Sequence, residues 1–366
     1  MKIASNVQHY LRLLAGRPRT LPVLRPQVEM AELAGLARHA TKSVESLGRA
    51  RLELPCEYRT AFVRDRDRII YSPYFTALSG KTQVFSPESL PLPSSQQVHT
   101  RLFHVIKVAQ LARDICRALG LNEDLAEAIA LGHDLGHSPF GHEGEKILSE
   151  YSREKLGEPF KHNRQSLRIV REIADLNLSY EVQEGILKHD GETKDAVLRP
   201  GKYSLRDNEP ASTLEACVVR LADRLSYLPL DLEDGIRLGL VSRDQLPSGI
   251  TEILGSQTSE MINALATNVI EMSAGRGEIA LSPLVREPLD RLFDFNYQHI
   301  YYSRRNVEFR KNIAACLNVL IGYFAEQHRG DARAVIDNIV ALTDQQAFAL
   351  FNRLRFGNQA PPRANL

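Results

Sequence analysis

Apolar residues return at intervals of three and four along most of this chain, and the clearest run is Val105, Val108, Leu111, Ala112, Ile115, Cys116 and Leu119. That spacing puts one apolar stripe on a helix of 3.6 residues per turn, and Gly120 stands where a left-handed C-cap would end it. Asn122 follows as an N-cap. Glu123 and Asp124 then suit the positive end of a second helix, which runs through Leu125, Ala128, Ile129 and Leu131 to His133. Similar patterns predict helices over 26–48, 163–174, 179–189, 212–239 (kinked at Pro229), 257–272 and 307–327, and over 330–355 with a break at Thr343-Asp344. Period-two alternation is scarce, and 82–85 is the best strand candidate. Breaks fall at 86–95, 198–210 and 273–288; the second is long enough to cover a pocket. The pattern predicts an all-α chain with a helical core, additional N- and C-terminal helices and at most a minor β-hairpin.

Composition narrows the class. With 366 residues and 43% hydrophobic content the chain can bury one large core or two modest ones, which excludes disorder. Lys and Arg (46) nearly balance Asp and Glu (45), so bulk charge does not predict a nucleic-acid binder, although a local basic patch could still hold an anion. Cys56, Cys116, Cys217 and Cys316 are far apart and form no CxxC pair, the usage of structural thiols in a reducing cytoplasm. No apolar run is long enough for a bilayer and no secretory leader is legible, which predicts a soluble protein with no membrane partner. The first 28 residues carry Lys2, Arg12, Arg17, Arg19 and Arg25 without an acidic residue, as transit peptides do. The spacing of Val7, Tyr10, Leu11 and Leu14 favours instead a surface helix, followed by a strap punctuated by Pro18, Pro22 and Pro26.

The chemistry is concentrated in the run 133–145, HDLGHSPFGHEGE, and in His104 upstream of it; six of the eleven histidines fall between His99 and His162. Neutral imidazole and carboxylate hold divalent metals in open coordination, so this density predicts a metal-dependent hydrolase. His104 begins one predicted helix and His133-Asp134 ends the next, where antiparallel neighbours would meet. Asp223 offers a further ligand, because it follows Val218, Val219, Leu221 and Ala222 in a stretch too apolar for an unpartnered charge. A lone histidine is usually only a packed or solvated one; the conjunction of these residues makes the metal reading the stronger. Gly136, Pro139 and Gly141 break the helix after the ligand pair and present His137, His142 and Glu145 on a loop. His142 and Glu145 are three apart, so a helix restarting there lets them touch as a general acid or base.

These residues also resemble a known family. The order His104, His133-Asp134, Asp223 is that of the HD-domain metal-dependent phosphohydrolases. The segments 64–70 (RDRDRII), 81–85 (KTQVF), 100–104 (TRLFH), 133–142, 162–168 (HNRQSLR) and 222–227 (ADRLSY) are similar to the deoxynucleoside triphosphate triphosphohydrolases of the dGTPase-like branch. The resemblance is dense over 60–240. It implies an HD core there, with a helical extension over 1–59 and a C-terminal helical region over 241–366 packed on it. It implies hydrolysis of a dNTP, dGTP or several, to deoxynucleoside and inorganic triphosphate. The implied metal ligands are His104, His133, Asp134 and Asp223 for an ion of Mn, Mg or Fe type. His142 and Glu145 become the acid/base pair; His137 and His162 line the triphosphate. Arg101 becomes a phosphate contact, which suits the bidentate donors of a guanidinium.

Tyr227 and Asp231 follow Asp223 at plus four and plus eight, one helical face if Pro229 only kinks the helix. The resemblance implies that they contact the sugar and exclude a 2′-hydroxyl. The alternative sets Asp231 among surface ion pairs with Asp234 and Arg237. Departures occur at Tyr71, Thr76-Ala77-Leu78 and Leu230, where relatives carry a His, an Arg-Arg-Leu and a His; they bear on base preference and allosteric control. Arg304, Arg305, Arg310 and Lys311 form a basic helix start that either touches the triphosphate or is a solvated face. The resemblance further implies a cytoplasmic homo-oligomer of nucleotide metabolism, open to regulation by a nucleotide or single-stranded DNA. The rival readings are an HD phosphohydrolase or phosphodiesterase acting on another nucleotide, and a non-catalytic nucleotide or single-stranded DNA sensor.

Overall fold

A computed structural model describes residues 24–84, 98–191, 197–301 and 303–357, without the side chains of 304–310. The expected N-terminal helix and strap at 7–26 fall mainly outside these residues, and the expected basic helix start at Arg304, Arg305 and Arg310 falls on side chains that are not described. Among the described residues are fifteen α-helices: α1 Leu24–Gly35, α2 Ala61–Ile70, α3 Pro73–Ala77, α4 Arg101–Leu119, α5 Glu123–Gly132, α6 Gly141–Leu156, α7 His162–Arg168, α8 Tyr180–Lys188, α9 Leu214–Arg237, α10 Ser248–Leu254, α11 Thr258–Ser273, α12 Pro283–Asn296, α13 Arg304–Gln327, α14 Ala332–Val340 and α15 Asp344–Phe356. The fold is all-α. Its sheet is one antiparallel pair, β1 Val197–Leu198 against β2 Ile279–Ala280. The strand expected at 82–85 reduces to an isolated bridge between Thr82 and Thr100, with 85 outside the described residues.

The apolar stripe of α4 does what its spacing demands: Val105, Val108, Ala112, Ile115 and Cys116 are fully buried. Gly120 takes φ 67° and ends the helix, a conformation that favours glycine. The Asn122 side chain accepts from the Asp124 and Leu125 amides and starts α5. A turn this short makes α4 and α5 antiparallel, and they pack on α9 and α2 respectively. Pro229 lies inside α9 without ending it. The helix expected over 26–48 stops at Gly35 and gives way to a 3-10 turn, Ser43–Glu45, held by Glu32, which accepts from the Ser43 amide and hydroxyl. The expected break at 273–288 is shorter, because Pro283 is a permitted first-turn residue and opens α12.

The C-terminal helices grip the loop between α5 and α6. Buried Lys81 donates to the carbonyls of His137 (2.6 Å) and Val340 (2.7 Å). Asp344, first residue of α15, accepts from the Phe140 amide (2.8 Å) and from the Thr82 amide and hydroxyl.

Candidate active site

The antiparallel pair α4 and α5 brings His104, in the first turn of one, beside His133, the C-cap of the other, with ring centroids 5.4 Å apart. His133 Nδ1 donates to the Ala130 carbonyl at 2.5 Å, which fixes the tautomer and turns the Nε2 lone pair inward. That Nε2 is buried with no hydrogen-bond partner among the described residues; it lies 3.5 Å from Asp134 Oδ1 and 3.8 Å from Asp223 Oδ1. His104 Nε2 lies 3.0 Å from Asp223 Oδ1 and 3.7 Å from Asp134 Oδ2. Four ligand candidates, from α4, from α9 and from the end of α5, therefore face one centre. Burial opposes the charge of Asp134, but His133, Arg101 and the other imidazoles outweigh it and hold the carboxyl well below its usual range. For Asp223 the same contest, with His104 as the main partner, gives about 2.

Arg101 is almost fully buried; its guanidinium donates to Asp134 Oδ2 at 2.6 Å and to the Thr82 carbonyl at 3.2 Å. It lines the cavity, yet one edge of its fork is occupied by a ligand candidate. The loop after Asp134 is held by close backbone approach: a Cβ on Gly136 would lie 2.2 Å from the Ser166 amide nitrogen and 2.5 Å from the His162 carbonyl oxygen. Phe140 (φ 65°) and Gly141 (φ 58°) both adopt the left-handed conformation that starts α6.

His137 stacks on His162 with centroids 4.3 Å apart. His142, 75% exposed at the cavity rim, places Nδ1 3.7 Å from Glu145 Oε2. Glu145 has a nearer partner than the sequence suggested: His162 Nδ1 at 2.9 Å. Burial opposes charge on His162, and Glu145 overrides it and pushes the imidazole up to about 9, while Glu145 itself is held below the carboxylate range. His137 is driven far down, by burial and then by Arg101. His189 was not singled out by sequence reasoning, although His189-Asp190 is a second His-Asp dipeptide ending an apolar helix. It caps α8, donates from Nδ1 to the Ile186 carbonyl (2.7 Å), and sets Nε2 3.1 Å from His162 Nε2 and 3.9 Å from Asp134 Oδ1.

His104, Asp134, His137, His142, His162 and His189 line a cavity of about 580 Å³. Asp223, Tyr227 and Asp231 all line it from α9, as their spacing requires. Asp231 is buried and accepts from the Tyr301 hydroxyl at 2.7 Å, which replaces the surface ion pair considered for it. Burial pushes its carboxyl up to about 7. Asp234 instead meets the His99 ring at 2.8 Å. Leu230 is buried and Tyr71 is exposed. From α12, Asp290 and Phe293 also line it, with Arg224 bridging to Asp290 at 2.6 Å.

Residues 101–228 match the HD domain family. A deoxyguanosinetriphosphate triphosphohydrolase-like protein of Desulfatibacillum aliphaticivorans is 43% identical over 76% of this chain and 77% of its own length. Proteins of the same name from Caldanaerobacter subterraneus subsp. tengcongensis and Clostridium perfringens are 37% and 36% identical, each over 90% of this chain and 95% and 97% of their own lengths. No helix among the described residues is long and apolar enough to cross a membrane. With an HD domain built around this histidine and aspartate cluster, and with that identity over most of its length, the chain belongs to the deoxyguanosinetriphosphate triphosphohydrolase-like family and is a phosphohydrolase.

Proposed function

We propose that this protein is a metal-dependent dNTP triphosphohydrolase that converts a dNTP and water to deoxynucleoside and inorganic triphosphate. The observation that carries the reading is the convergence of His104, His133, Asp134 and Asp223 at a cavity into which the same α9 face sends Tyr227 and Asp231. The relatives named above carry this activity in their names.

The residues fit a divalent ion. Two imidazoles and two carboxylates suit Mn, Fe or Mg, and the inward-facing Nε2 of His133 is a buried lone pair that no protein donor satisfies. When bound, such an ion polarises a phosphoryl oxygen and lowers the pKa of a water. The chain's own residues do the rest. Arg101 fixes the Asp134 carboxylate and keeps it ionised. His137 and His162 line the polyphosphate. His142, at the rim with Nδ1 3.7 Å from Glu145 Oε2, gives a proton to the departing 5′-oxygen of the nucleoside. Tyr227 packs against the deoxyribose face that a 2′-hydroxyl would occupy. Asp231, its carboxyl oriented by Tyr301, meets the sugar hydroxyl. The cytoplasm, which keeps thiols reduced, suits four free cysteines.

Incubation with each dNTP and with GTP, under Mn or Mg, tests this reading through its products. Deoxynucleoside and triphosphate from dNTPs, with GTP turned over far more slowly, are expected. Monophosphate and pyrophosphate would move the protein to another HD chemistry, and absence of turnover with every metal would make it a nucleotide sensor.

A further inference from the structure

The loop that carries His142 and the buried arginine beside Asp134 are held by one carboxylate from α15. Asp344 accepts from the Phe140 amide on Oδ1 (2.8 Å) and from the Thr82 amide on Oδ2 (3.1 Å), where the Thr82 hydroxyl also donates. Each oxygen therefore serves a different segment of the site. Thr82 passes the hold onward: its carbonyl accepts from Arg101 Nε at 3.2 Å, and Arg101 Nη1 donates to Asp134 Oδ2 at 2.6 Å. Phe140 stands two residues before His142, and its left-handed backbone (φ 65°) sets where α6 begins and hence where His142 stands. The two segments also touch, since a Cβ on Gly141 would lie 3.2 Å from the Gln83 carbonyl oxygen and 3.3 Å from that of Thr82. One turn on from Asp344, Phe348 packs against the Phe140 ring with centroids 4.7 Å apart.

We propose that Asp344 is a positioning residue for the reaction, setting the Arg101–Asp134 pair through Thr82 and His142 through Phe140. It lines no part of the cavity and acts only through these contacts. Asp344 and Thr82 both lie outside the residues that match the HD domain, so the C-terminal helices take part in the site by placing it. The chemistry demands a carboxylate. Both of its oxygens accept, as the Phe140 and Thr82 amides require, whereas an asparagine amide offers one acceptor and one donor. In Asp344→Asn an NH2 must therefore face one of those two backbone amides, and that segment is released. Lys81, next to Thr82, still ties the His137 carbonyl (2.6 Å) to the Val340 carbonyl (2.7 Å), so the variant loosens the site without detaching α15.

This role rests on the activity proposed above, so its test includes a measurement made without substrate. Full-length wild type and Asp344→Asn are compared below the onset of melting seen by circular dichroism. Release of deoxyguanosine from dGTP with Mn2+ should show kcat lower by about 10- to 100-fold and KM changed by less than about threefold, because misplaced groups slow the step more than the encounter. Amide hydrogen exchange read by mass spectrometry, without substrate, should quicken at least about threefold over 137–145 and stay unchanged over α11, which has no part in the tie. Wild-type kcat overturns the proposal, and so does faster exchange spread evenly over the chain, the mark of a merely structural role. If Asp344→Asn does not fold, Thr82→Val replaces it and removes only the hydroxyl arm. A lower kcat that Thr82→Ser restores is expected, and wild-type kcat in Thr82→Val overturns the proposal. A product other than triphosphate removes the substrate assignment alone, and with no turnover at all the exchange pattern decides.

Discussion

Glu145 Oε1 receives two hydrogen bonds from a single residue, His162: the ring Nδ1 at 2.9 Å and the backbone amide at 3.0 Å. One carboxylate oxygen thus fixes both the start of α7 and the direction of an imidazole that faces the cavity. Glu145→Gln keeps an acceptor but loses the charge. It is expected to fold and to lose about 10- to 100-fold in kcat, as measured by steady-state release of deoxynucleoside. Wild-type kcat in this variant would remove Glu145 from the site.

The ligand set and the acid/base layer separate by mutation. His133→Ala should lose tight metal binding and activity together. His142→Ala, which alters a rim residue 75% exposed, should retain metal while kcat falls about 10²- to 10⁴-fold. Metal content by mass spectrometry beside single-turnover rates distinguishes the two. Normal turnover in the His142 variant removes it from proton transfer.

Lys81 sets a pH dependence of stability. Burial drives its ammonium down to about 7, against the pull of Asp344 and from an ordinary value of 10.5. Between those values the unfolded chain binds the extra proton, so this group makes stability rise with pH from about 7 to 10.5 and leaves it flat above. Lys81→Met should flatten that rise. It should also lower stability by about 2–4 kcal/mol, because the His137 and Val340 carbonyls lose their donor. Urea melts at several pH values measure both effects.

Gly136→Ala tests the close approach beneath the HD loop. Its Cβ would meet backbone atoms of Ser166 and His162, which cannot swing away as a side chain end can. A loss of about 2 kcal/mol or more in unfolding free energy is expected, with displacement of His162 seen as reduced activity. A variant as stable and active as wild type would contradict the packing described.

Much of this was legible in the sequence because it is local. The stripe of α4, the Gly120 stop and the Asn122 cap all follow from neighbours within one turn, and the short connection then forces His104 beside His133. What escaped was set by distance in the chain. The role of Glu145 depends on His162, seventeen residues on, whereas sequence spacing pointed to His142, three residues away. His189 reaches the cluster only because α8 packs on α5 and α7, which no periodicity within α8 announces. The hold of Asp344 on Thr82 and Phe140 is of the same kind.

Phosphorus NMR of the products formed from dGTP, Mn2+ and oxygen-18 water tests the central claim most directly. The account predicts one intact triphosphate for each deoxyguanosine, with the label in the triphosphate, because water attacks the α-phosphorus and the 5′-oxygen leaves with the nucleoside. Pyrophosphate with dGMP, or orthophosphate with dGDP, would contradict it.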